Sequence, residues 1–126
     1  AVHGFSGVIG GMFKAPHGAV CAALLPHVMA MNRAALQARE PRSPILARYD
    51  EIARLLTGRA DARAEDGAEW VRELAAAMGV PPLSACGVDP SHIPLIVERA
   101  AVASGTKANP ISLTRDELAA ILRREL

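Results

Sequence analysis

Apolar residues recur at helical spacing along most of the chain, and no segment alternates convincingly with the period of two that marks a strand. Six helical pieces follow. The first runs from Val2 to Phe13. Pro16 opens a second, from His17 to about Arg39, because the N–H that proline lacks would be unpaired at a helix start anyway. Pro26 lies inside that stretch and is expected to kink it. Arg42-Ser43-Pro44 reads as a cap ahead of a third helix reaching Leu56, with Thr57-Gly58 as its stop. Ala64 to Met78 carries an apolar stripe of Ala68, Val71, Leu74, Ala75 and Met78 before Gly79 and Pro81-Pro82 end it. A fifth helix starts at Asp89-Pro90-Ser91 and reaches about Ser104, and Gly105 to Pro110 is expected to be a loop. The last helix opens with a capping box, Thr114 and Glu117, ahead of a buried stripe of Leu118, Ile121 and Leu122.

Composition supports an all-α helical bundle. Apolar residues make up 51% of the 126 residues but aromatics only 3%, so the core is built from Ala, Leu, Val and Ile. Such a set suits close-packed helices better than a sheet. Fourteen basic residues face 13 acidic ones, a balance that argues against nucleic acid as a partner. No apolar run is expected to approach the roughly 18–20 residues that cross a bilayer, so no membrane association is expected either. Cys21 and Cys86 match no CxxC pattern and suit a reducing, cytoplasmic setting. The chain opens on AVHGFSG without Met, which reads as the interior of something longer.

The candidate chemistry lies in the first seventeen residues. His3 and His17 stand fourteen positions apart. One straight helix would separate them by about 21 Å. A zinc or iron ion needs its imidazole nitrogens roughly 2.0–2.2 Å away, so the pair can share a metal only if the chain folds back, and Pro16 offers the break. Two histidines at an arbitrary spacing are usually unrelated, and two ligands are fewer than the three a catalytic site wants. His27 reads as a packed or capped histidine, and His92 as a surface residue near a helix start. Gly4, Gly7, Gly10 and Gly11 each cost about 1 kcal/mol relative to Ala in a helix, so they must admit either a close neighbour or a ligand. Their spacing is not GxGxxG and no strand precedes them, which excludes a Rossmann phosphate loop.

The runs Val2-His3-Gly4, Gly10-Gly11-Met12-Phe13, Ala15-Pro16-His17-Gly18 and Leu24-Leu25-Pro26-His27 resemble the iron-containing (group III) alcohol dehydrogenases. Lys107-Ala108-Asn109-Pro110, Leu113-Thr114 and Glu117-Leu118 resemble that family's NP loop and last helix, and Arg48 to Leu56 its middle helix. The resemblance covers residues 1–126 and implies the C-terminal part of a helical, dehydroquinate-synthase-like metal-binding domain. It implies His3 and His17 as ligands of Fe2+ or Zn2+, completed by an Asp and a His from earlier helices. It also implies NAD or NADP bound mainly by an upstream domain, a small alcohol or aldehyde substrate, and a homo-oligomer, a dimer. Many members carry a third histidine four residues after the first ligand; here that position is Gly7, which widens the pocket and removes a proton-relay group. Phe5, Gly7, Phe13 and Lys107 are the candidate substrate-lining residues.

On this reading the 126 residues alone are inactive as an alcohol dehydrogenase or aldehyde reductase. The competing reading is a free-standing helical interaction or structural module of the same ancestry.

Overall fold

Seven α-helices account for the architecture of residues 1–126 in the computed structural model: α1 (Val2–Phe13), α2 (His17–Arg39), α3 (Pro44–Thr57), α4 (Ala64–Ala77), α5 (Ile93–Val102), α6 (Ser104–Lys107) and α7 (Arg115–Arg123). There are no strands. Short 3-10 turns occupy Leu83–Cys86 and Pro90–His92. The first shows that the stretch after Pro81-Pro82 is not featureless, and the second converts the expected start of the fifth helix into a tighter lead-in turn. Ala103 is extended and divides α5 from α6, so the expected loop at Gly105–Pro110 begins inside a helical turn.

α2 is the spine. It packs on α1, α3, α4 and α7, and it runs unbroken across Pro26. Its 23 residues include an 18-residue window of mean hydropathy 1.3, so by length and composition it could cross a bilayer, contrary to the sequence expectation. Of that window 44% is buried, and Val20, Ala23, Leu24 and Val28 join Phe5, Ile9, Leu83, Ile96, Leu118, Ile121 and Leu122 in one core. Burial of each Val, Leu, Ile or Phe side chain in it contributes about 1.5–3 kcal/mol. A smaller cluster of Ala35, Leu36 and Ile111 lies near the far end of α2.

α3 and α4 form the other packed pair. Gly67 is required there, since a β-carbon on it would stand 3.0 Å from both Cα and Cβ of Ala53. Asp50 of α3 accepts from the Ala64 N–H at 2.9 Å and so satisfies an otherwise unpaired donor at the start of α4. The apolar stripe on α4 is buried only at its first turns: Ala68 is buried, whereas Leu74 and Met78 are exposed.

A polar junction centred on buried Asn32 ties the start of α1, α2 and α3 to the segment around Asn109. Asn32 of α2 donates to Tyr49 Oη at 3.1 Å and to Asn109 Oδ1 at 3.1 Å. Asn109 donates back to Asn32 Oδ1 at 2.6 Å and to the Ile111 carbonyl at 2.7 Å, while the Ala1 nitrogen donates to Asn109 Oδ1 at 2.9 Å. Burial raises the Tyr49 hydroxyl above its ordinary value, and the bond from Asn32 only partly offsets that. At the surface, Arg39 forks onto Glu117 at 2.9 and 3.1 Å and onto the Ser112 carbonyl, joining the end of α2 to the start of α7. The Thr114–Glu117 capping box is present in both directions. Ser43, by contrast, occupies the cap position of α3 without a side-chain bond.

These contacts generate three measurable outcomes. Asn32→Ala and Asn109→Ala each strand buried groups and cost about 1–3 kcal/mol in urea denaturation, with the double variant costing less than the two added together. Burial alone would raise the Glu117 carboxyl, but the Thr114 N–H and Arg39 outweigh it and hold it below its ordinary value. Its stabilising contribution is therefore present above the unfolded value near about 4.3 and is lost as pH falls through the folded value. Glu117→Gln flattens the acid limb of a stability-versus-pH curve. Finally, Gly4→Ala and Gly7→Ala differ in sign. A β-carbon on Gly4 would meet Thr106 Oγ1 at 1.9 Å, whereas nothing lies within 4 Å of one on Gly7. Gly4→Ala destabilises by about 1–3 kcal/mol, and Gly7→Ala stabilises by about 0.5–1 kcal/mol.

Candidate metal centre

The site is made by a reversal between the first two helices. α1 ends at Lys14, the one non-glycine residue with a left-handed backbone (φ 53°). Ala15 is buried, and Pro16 caps α2 with φ −60° and ψ 123°. The connection runs back along α1: a β-carbon on Gly10 would lie 3.5 Å from the Ala15 carbonyl oxygen. That contact recovers about 4.5 Å of the roughly 15 Å of helical rise between His3 and Phe13, and the rest is spanned by the chain through Pro16 and by the two side chains. His17, the first residue of α2, thereby meets His3 in the first turn of α1.

The two imidazole rings have centroids 5.5 Å apart and planes inclined at 52°. Both residues are exposed, so both rings can turn. Cys21 stands one turn beyond His17, with Sγ 3.5 Å from His17 Nε2. Ligand atoms of His3, His17 and Cys21 all lie within 4.8 Å of one another. Nitrogen and sulfur are suitable donors for zinc and for iron. The residues present thus fit a divalent metal at the histidine pair.

His3 is held from behind by α6. A β-carbon on Gly105 would stand 3.0 Å from the carbonyl carbon and Cβ of His3, so backbone meets backbone there. Thr106 Oγ1 is buried against Gly4 without a hydrogen-bond partner.

The other candidate residues take different places. Phe5 is fully buried in the core and lines no open surface. Its spacing to Ile9, four residues on, carried that signal in the sequence. Phe13 is half-buried and lies edge-on against His92, with ring centroids 4.9 Å apart, so His92 is a packing partner as well as a residue near a helix start. Gly7 is exposed with open space above it, and Lys107 is exposed at the end of α6. His27 Nε2 meets Glu125 Oε2 at 2.8 Å, a carboxylate 98 positions away that local spacing could not reveal. Cys21 is the residue that sequence reasoning passed over. Its i, i+4 relation to His17 places both on one helix face, but the third donor, His3, depends on the reversal.

The fold is shared with known structures. The structure of 1,3-propanediol oxidoreductase is 28% identical, with a TM-score of 0.76 over 99% of this chain and 32% of that one. An alcohol dehydrogenase from Oenococcus oeni is also 28% identical, with a TM-score of 0.80 over 99% of this chain and 32% of that one. An iron-containing alcohol dehydrogenase from Thermococcus thioreducens is 26% identical, with a TM-score of 0.75 over 98% of this chain and 31% of that one. The chain therefore spans about a third of the length of the solved structures it matches. No curated protein sequence matches it. The model of the Fe-containing alcohol dehydrogenase family, C-terminal, matches residues 1–126, and the chain belongs to that family.

Proposed function

We propose that this chain is the metal-binding helical part of an NAD(P)-linked alcohol dehydrogenase or aldehyde reductase, with His3 and His17 as two of its metal ligands. The observation that carries the reading is the convergence of two exposed imidazoles, fourteen positions apart in sequence, to 5.5 Å. A helical module acting only through packing has no need of that convergence.

A divalent cation bound there supplies Lewis acidity toward an alcohol or carbonyl oxygen. The chain's own contribution is to hold the cation and leave room beside it. His3 and His17 come from two helices fixed against each other by a common core, and the exposed backbone at Gly7 leaves space next to His3. Nicotinamide cofactor, an Asp and a further His belong to a dinucleotide-binding domain and earlier helices outside these residues. The all-helical chain alone therefore reduces no aldehyde with NADH or NADPH.

Isothermal titration of the chain with Zn2+ tests the site. His3→Ala and His17→Ala each weaken binding by more than about 100-fold, because loss of an outer partner alone already costs 10–100-fold. Both positions are exposed, so circular dichroism is unchanged. Zn2+ affinity unaltered by both substitutions would end the proposal.

A further inference from the structure

We propose that Cys21 is a metal ligand beside His3 and His17, so that this chain contributes a His2Cys donor set to the site. The proposal deepens the metal-site reading and rests on it.

The distances favour coordination. A tetrahedral ion with metal–nitrogen bonds of roughly 2.0–2.1 Å and metal–sulfur bonds near 2.3 Å separates its nitrogen and sulfur ligands by about 3.6 Å. His17 Nε2 and Cys21 Sγ stand 3.5 Å apart. Two nitrogens on such an ion are about 3.3 Å apart, and the three donor atoms here already lie within 4.8 Å of one another. Rotation of the exposed His3 ring about its side-chain bonds closes the remainder. The i, i+4 placement on the first turns of α2 also means that His17 and Cys21 approach one point without deforming the helix. Cys21 is half-buried and free, so its sulfur is available.

On binding, the Cys21 thiol gives its proton to solvent and its sulfur lone pair to the metal; no electrons are exchanged. A thiolate is a soft donor. Compared with a site of imidazole and carboxylate alone, the set favours Zn2+ or Co2+ over harder cations such as Mg2+ and Mn2+.

Anaerobic titration with Co2+ in the presence of a phosphine reductant reads the ligand directly. The unmodified chain gives visible d–d bands together with near-ultraviolet sulfur-to-cobalt charge-transfer absorption. Cys21→Ser, a nearly isosteric change at a half-buried position, abolishes the charge-transfer absorption and keeps weaker d–d bands from the histidine pair. Its Kd for Zn2+ rises by at least ~10-fold. Visible bands without charge transfer in the unmodified chain, lost in His17→Ala, would leave the histidine pair standing and overturn Cys21, whose sulfur would then be only a hydrogen-bond partner of His17. Charge transfer that survives Cys21→Ser assigns the sulfur to Cys86 and overturns the proposal as well. No bands at all would remove both readings.

Discussion

Everything at the metal centre depends on how closely other backbone comes to α1. One of its positions accepts a neighbour where a side chain would intrude: Thr106 packs against Gly4, whereas a β-carbon on Gly10 would make only ordinary van der Waals contact with the Ala15 carbonyl oxygen at 3.5 Å. The Gly4 contact docks α6 behind His3, and the reversal through Lys14 and Pro16 brings His17 back beside it. Each glycine costs about 1 kcal/mol of helix propensity relative to Ala. At Gly4 that loss is outweighed by a contact no other residue permits. Gly7 and Gly11 face open space, so they repay nothing by packing.

Much of the helical frame was legible in the sequence. The break between α1 and α2 follows from Pro16, and the capping box of α7 forms as its Thr114–Glu117 spacing requires. Four-residue α6 and the 3-10 turns escaped because so short a segment has no periodicity to read. The stripe on α4 was read correctly as helical but not as half-covered, because its periodicity does not say how much of the helix its neighbours α2 and α3 cover. His3 and His17 were legible as a pair only through family resemblance; their spacing alone is silent until the reversal at Lys14 is known. Cys21 shows the same limit, since a cysteine one turn from a histidine acquires meaning only when another donor arrives from a different helix.

The polar junction works in parallel with the apolar core. Asn32 is almost fully buried, and a lone amide in such a place would be costly. Its partners come from three separate parts of the chain: Tyr49, Asn109 and, through Asn109, the Ala1 nitrogen and the Ile111 carbonyl. Because each of these bonds has directional requirements, the junction fixes the relative positions of α1, α2, α3 and the Asn109-Pro110 segment more sharply than Leu and Val contacts do. Arg39 with Glu117 does the same at the surface between α2 and α7.

The seating of Gly105 against His3 has a mechanical consequence. Whatever the two imidazoles grip, one of them leans on a segment a hundred positions later in the chain. Recoil of His3 away from His17 is resisted by peptide groups rather than by a flexible side chain. A lengthening or shortening of the chain anywhere between Ala103 and Asn109 would shift that buttress and slacken the grip, although no residue in the interval donates an atom to it.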